Sequence, residues 1–148
     1  GLGRIDLILS FDAKPQSRKE SKIMDENELS NQVIGAAIEV HRHLGPGLLE
    51  SVYRDCMAYE LKERGIKVAR EVSLPVRYKA MEFPGAYRAD LVVEDKLILE
   101  LKAVDILLPV HGAQLLSYLR LSGMKLGLLV NFNVSQLRDG VRRIVNKL

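Results

Sequence analysis

Between Glu26 and about His43, apolar side chains recur at helical spacing: Leu29, Val33, Ala36, Ala37 and Val40, with Leu44 closing the series. "LGPG" ends that helix, because Pro46 cannot continue it and Gly45 and Gly47 favour turn geometry. A second helix is expected from Leu48 to about Arg64, with Leu49, Val52, Cys56, Tyr59 and Leu61 as core contacts and Gly65 as its stop. The pattern then becomes extended. "IKVAREVSLPVRYKA" is rich in β-branched residues and reads as one or two strands, with Pro75 marking an edge or a bulge. After "MEFPG", the stretches "YRADLVV" and "LILELKAV" read as two strands around a three-residue "EDK" loop. "LPVHGAQLLSYLRLSG" predicts a helix, with Pro109 in its first turn and Gly123 past its end. "LGLLVNF" is continuously apolar, as a strand covered on both faces would be. "VSQLRDGVRRIVNKL" allows a helical turn up to Gly140, then a strand or a helix. Two helices, a run of strands, a helix, a strand and a tail predict a mixed α/β domain.

Composition narrows this picture. With 148 residues, 47% of them hydrophobic and 28% charged, the chain suffices for one core and is short for two. Residues 1–23 lack periodicity, and "AKPQSRKESK" is polar and charged in the manner of a linker. They are expected to be a disordered or vector-derived tail with Met24 as the natural start, which leaves 24–148 as the single domain. No apolar run approaches the roughly 20 residues of a membrane span. "IDLILSF" is short, is interrupted by Asp6, and lacks the basic lead and cleavage site of a signal peptide. The reading is a cytoplasmic protein with no membrane partner. The lone Cys56 excludes an intramolecular disulfide and argues against a Cys-based zinc site, so a packed thiol is expected. A net charge of +3 and a pI near 9.0 suit a polyanionic partner without arguing for one.

Candidate chemistry sits in the two strands around "EDK". Asp90 lies between Ala89 and Leu91, and Glu100 between Leu99 and Leu101 with Lys102 next. Charged side chains are rarely buried unless paired, so acids in such apolar runs need a reason. Strand alternation puts Arg88, Asp90 and Val92 on one face and Tyr87, Ala89, Leu91 and Val93 on the other. In the second strand Ile98, Glu100 and Lys102 share a face. If "EDK" is the loop, Val93 pairs with Leu97 and Asp90 faces Glu100, with Cβ atoms about 5 Å apart. Two like charges so placed destabilise a sheet, and a hard divalent cation resolves the repulsion. Lys102 projects to the same side, where it would stabilise developing negative charge or orient a water. A solvated strand face is the plainer account of an Asp…Glu…Lys pattern; the apolar neighbours of both acids argue against it.

Two further groups point the same way. In "GPGLLESVY", Glu50 lies in the first helical turn, where a carboxylate also simply suits the helix dipole, and Tyr53 is three residues on. In the later helix His111, Gln114 and Tyr118 form one polar stripe, either an exposed face or a set of donors aimed at a phosphate or a metal-bound water. Beyond Leu119, Arg120, Lys125, Arg138, Arg142, Arg143 and Lys147 outnumber Asp139, a flank suited to a nucleic-acid backbone or simply a solvated tail. No interleaved aromatics there suggest base stacking, so sequence-specific readout is not indicated.

Asp90 followed by Glu100-Leu101-Lys102, then a helix with Gln114 and Tyr118, resembles the signature of the PD-(D/E)XK nuclease superfamily. Gly47, Glu50 and Tyr53 in "GLLESVY" resemble the motif of the GxxExxY family more specifically, and the likeness extends through "HGAQLLSYL" and "GLLVNF" over nearly all of residues 26–147. It departs from the superfamily's name in having Ala89, not proline, before Asp90. The resemblance implies a restriction-endonuclease-like core, a central mixed β-sheet flanked by helices. It also implies hydrolysis of phosphodiester bonds with Mg²⁺ (or Mn²⁺) and a DNA or RNA substrate. Carried over, Asp90 and Glu100 ligate the metal with the Leu101 backbone carbonyl, Lys102 assists the attacking water and Glu50 completes the acidic cluster. Gln114, Tyr118, Tyr53 and His111 would bind substrate. A homodimer, common among small nucleases of this type, would supply a two-strand cleft. The competing expectation is a non-catalytic nucleic-acid-binding or protein-interaction module on the same fold.

Overall fold

The computed structural model describes residues 23–148, so the expected tail lies almost wholly outside the described residues. Helix α1 (Glu26–Leu44) begins at a reciprocal cap: Asp25 Oδ1 accepts from the Glu28 amide at 2.8 Å and Glu28 Oε1 from the Asp25 amide at 3.1 Å. Its buried face is Leu29, Val33, Ala36, Ala37 and Val40, as the spacing predicts. Gly45 (φ 69°) and Gly47 (φ 97°) then turn the chain through the left-handed region that glycine tolerates best.

Helix α2 (Glu50–Glu63) is rotated from its expected orientation. It buries Tyr53, Met57, Ala58 and Leu61, whereas Leu49, Val52 and Tyr59 are exposed and the Cys56 thiol is half-buried and free. Two adjacent apolar stripes compete on this helix, and Tyr53 selects between them. Its ring stacks on Phe132 with centroids 4.4 Å apart and planes within 7°. Its hydroxyl donates to the Gly45 carbonyl at 2.6 Å and accepts from the Leu48 amide at 3.1 Å.

The sheet follows: β1 (Val68–Tyr78), β2 (Met81–Val93), β3 (Leu97–Lys102), then α3 (Pro109–Ser122), β4 (Leu126–Asn131), a 3₁₀ turn (Leu137–Gly140) and β5 (Val141–Val145). The five strands stand in chain order, antiparallel except for β3 with β4, whose parallel pairing requires α3 as the crossover. β1 is one strand with a register shift at Pro75, between Leu74 and Val76. The hairpin turn falls at Lys79–Ala80, so "MEFPG" lies inside β2 and not between strands. The tail resolves as a helical turn followed by a strand.

Leu91, Val93, Leu97, Leu99, Leu101, Leu126, Leu128 and Val130 pack under α1 and α2 on one face of the sheet. Ala89, Val92, Ile98 and Leu129 pack under Leu115, Tyr118 and Leu119 of α3 on the other. The central strands are covered on both faces, which explains their lack of alternation. This is the mixed sheet flanked by helices expected of a restriction-endonuclease-like α/β fold.

Candidate active site

Three residue pairs join β2 to β3: Val93 with Leu97, Val92 with Ile98 and Leu91 with Leu99. This is the register that a three-residue "EDK" loop predicts. The next pair would be Asp90 with Glu100, and there the backbone ladder stops. Side chains replace it: Glu100 Oε2 accepts from the Asp90 amide at 2.7 Å, and Asp90 Oδ2 accepts from the Leu101 amide at 2.9 Å. Each carboxylate thus spends one oxygen on the backbone of the opposite strand, which fixes its orientation, and retains the other.

Strict alternation along β2 also ends here. Ala89 and Val92 sit in the same core cluster on the α3 side, while Leu91 and Val93 face α1 and α2. Ala89 therefore does not share a face with Leu91, and Asp90 lies at this change of face. Opposite, in β1, Glu71 takes φ 48° between the pairs Arg70–Leu91 and Val72–Ala89, a left-handed residue that lets the strand kink.

The electrostatics follow from burial. Glu100 is only 6% exposed, and desolvation raises its pKa to about 8. That net rise also includes the charge of Asp90 and, last, that of Glu50, while the hydrogen bond from the Asp90 amide and the charge of Lys102 act in the opposite direction. Tyr118, also buried, has its pKa raised first by desolvation and then by Glu100, Asp90 and Tyr87. Its phenol therefore stays protonated beside the two acids at neutral pH.

Glu50 reaches the cluster from the first residue of α2 and Lys102 from the last of β3. Tyr118 comes from α3, its ring centroid 5.9 Å from that of Tyr87. With Gln114, Val76 and Arg120, these two rings line a groove of about 480 Å³ between β2 and α3.

Two expected site residues are engaged elsewhere. His111 Nδ1 accepts from the Leu108 amide at 3.0 Å and so caps the start of α3. Tyr53, fully buried, spends its hydroxyl on the loop before α2, making it part of the scaffold and not a substrate contact. A different surface gathers aromatics that were not singled out from the sequence. Tyr78, Phe83 and Tyr87 are exposed beside Arg77, Lys79 and Arg88 on the β1–β2 hairpin, much of which extends past the short β2–β3 ladder.

Arg54 went unnoticed because a Glu50–Arg54 pair at i, i+4 reads as a surface helix pair. In the fold its side chain is only 18% exposed, with Nη2 3.3 Å from Glu50 Oε1 and Nε 3.4 Å from Asp90 Oδ1. Asn131 at the end of β4 was equally unremarkable in sequence. Buried, it accepts from the Val104 amide at 3.0 Å and donates to the Val104 carbonyl at 2.8 Å, pinning the chain just past Lys102.

Among the described residues no three His, Cys, Asp or Glu side chains converge as a self-sufficient metal cage. Two oriented carboxylates are instead the donor set that suits Mg²⁺, which keeps several waters and takes its remaining oxygens from backbone and substrate. Among the described residues, too, no helix is long and apolar enough to cross a membrane.

The sequence pattern of the PD-(D/E)XK nuclease superfamily matches residues 27–144, and the chain belongs to that superfamily. Its members generally use divalent metal ions on nucleic-acid substrates. No curated protein and no solved structure matches the chain.

Proposed function

We propose that this protein is a metal-dependent nuclease that hydrolyses phosphodiester bonds at the open end of the β2–β3 ladder. The observation that carries this reading is the reciprocal bonding of Asp90 and Glu100, each carboxylate aimed by a backbone amide across the gap. Such orientation of ligands by their own hydrogen bonds is what a metal site requires. Asp90 and Glu100, with the Leu101 carbonyl, would hold one Mg²⁺ or Mn²⁺, which when bound would polarise a phosphate oxygen and acidify a water.

The remaining residues act around that point. Lys102, close enough to lower the pKa of Glu100, orients the attacking water and offsets negative charge developing on the phosphate. Attack forms a bond from the water oxygen to phosphorus, the water's proton passing to solvent, and breaks the bond to the departing sugar oxygen, which leaves protonated by solvent. Tyr118 supplies a neutral hydroxyl donor beside the acids. Gln114 and Tyr87 line the adjoining groove, and the exposed aromatic and basic side chains of the hairpin offer stacking and phosphate contacts to the strand.

The chain also reads as a GxxExxY-type member, and the fold supports a physical account of that motif. Gly47 supplies a left-handed turn, Glu50 starts α2 beside the carboxylates, and Tyr53 clamps the turn from within the core.

The test is cleavage of single-stranded, duplex and structured DNA and RNA with Mg²⁺, Mn²⁺ or EDTA. Wild type is expected to cut one class with metal only, and Asp90→Asn and Glu100→Gln to lose at least about 10²-fold. Equal activity in wild type and variants, or uniform inertness with every substrate and ion, overturns the catalytic reading and leaves the binding module.

A further inference from the structure

A guanidinium already occupies the acidic cluster. Arg54 projects from α2 into the space between Glu50 and Asp90, touching Glu50 Oε1 at 3.3 Å and approaching Asp90 Oδ1 at 3.4 Å. A surface i, i+4 pair would leave the arginine in water, but this side chain is 18% exposed and its Nε is buried without a hydrogen-bond partner. Both contacts are longer than the roughly 2.8 Å of an optimal charge-assisted bond. The group is therefore poorly placed for hydrogen bonding and well placed for charge. Asp90 has given its other oxygen to the Leu101 amide, so the oxygen facing Arg54 is the one through which it would share a second cation with Glu50.

We propose that Arg54 is the second cation of this site: it neutralises the Glu50–Asp90 side and limits the centre to one divalent ion, held on the Asp90–Glu100 side. This rests on the metal-dependent reading above. The charge balance agrees with it. Once metal ligation ionises Glu100, Glu50, Asp90 and Glu100 set three negative charges against the two positive ones of Arg54 and Lys102. One divalent ion already overcompensates the remainder, and a second would meet a fixed positive charge within a few ångströms. Without Arg54 the same carboxylates face each other uncompensated, the condition under which carboxylate sites recruit a further metal.

The experiment counts bound Mn²⁺ per folded chain, by loss of the free-ion electron paramagnetic resonance signal and by calorimetry, without any substrate. Wild type is expected to bind one ion. Arg54→Gln, checked for native circular dichroism, is expected to bind two, the second disappearing in Arg54→Gln/Glu50→Gln. Arg54→Lys, which restores a cation, is expected to return to one. Two ions on wild type, or a single ion on correctly folded Arg54→Gln, overturns the proposal. If Arg54→Gln does not fold, Arg54→Met with a similar stem takes its place, and the wild-type count remains decisive. Absence of bound Mn²⁺ from wild type and every variant refutes the metal site itself, a result distinct from an unchanged stoichiometry of one.

Discussion

Raising the pH of the metal-free protein from about 5 to about 8 should weaken it, and Glu100 sets the size of the effect. Its pKa is about 8 in the fold against an ordinary 4.5, burial being the main cause. In that window the unfolded chain has released this proton while the folded chain retains it, so unfolding releases a proton and stability falls as pH rises. The slope approaches about 1.4 kcal/mol per pH unit, which accumulates to about 3 kcal/mol by pH 7. The contribution is fully present below the unfolded pKa and is gone once pH has passed through the folded one. Glu100→Gln removes the charge and keeps an oxygen for the Asp90 amide. The variant should match wild type within about 1 kcal/mol near pH 5 and exceed it by about 3 kcal/mol near pH 7. Urea denaturation in EDTA, followed by far-ultraviolet circular dichroism across that range, reads both proteins at constant m-value. Parallel pH profiles for the two would refute the reasoning, since they would show that Glu100 ionises in the fold as easily as in the unfolded chain.

Two further outcomes follow from packing. Gly140→Ala should destabilise by about 3 kcal/mol or more, because a Cβ there would stand 2.1 Å from the backbone oxygen of Asn131; an unchanged urea midpoint would contradict this close approach. Tyr53→Phe should lower stability by about 1–2 kcal/mol through loss of the bonds to Gly45 and Leu48, while Mn²⁺ binding stays at the wild-type level. A large loss of Mn²⁺ binding with little loss of stability would return Tyr53 to the site.

How far the sequence could be read depended on the range of the interaction. The buried face of α1 was legible because a helix repeats locally, and Leu29, Val33, Ala36, Ala37 and Val40 can meet only one core. The β2–β3 register was legible because a three-residue loop leaves one pairing of Val93 with Leu97. The face of α2 was not, since its two apolar stripes differ by about one position. Contact of Tyr53 with Phe132, remote in the chain, makes the choice. The stretch "MEFPG" looked like a connection because proline and glycine punctuate strands, yet β1 holds it as a strand beyond the core.

The amino-acid sequence by itself determined the α/β class, the order of elements and the approach of Asp90 to Glu100 with Lys102 beside them, because periodicity and loop length act over a few residues. Only the tertiary structure decided what those acids do at rest. Packing of α2 against the sheet brings Arg54 and Glu50 to Asp90, α3 brings Tyr118, and the closed core removes the water that would keep Glu100 ionised. Spacing along one chain specifies neighbours within an element, whereas burial and charge balance arise only when separate elements share one volume.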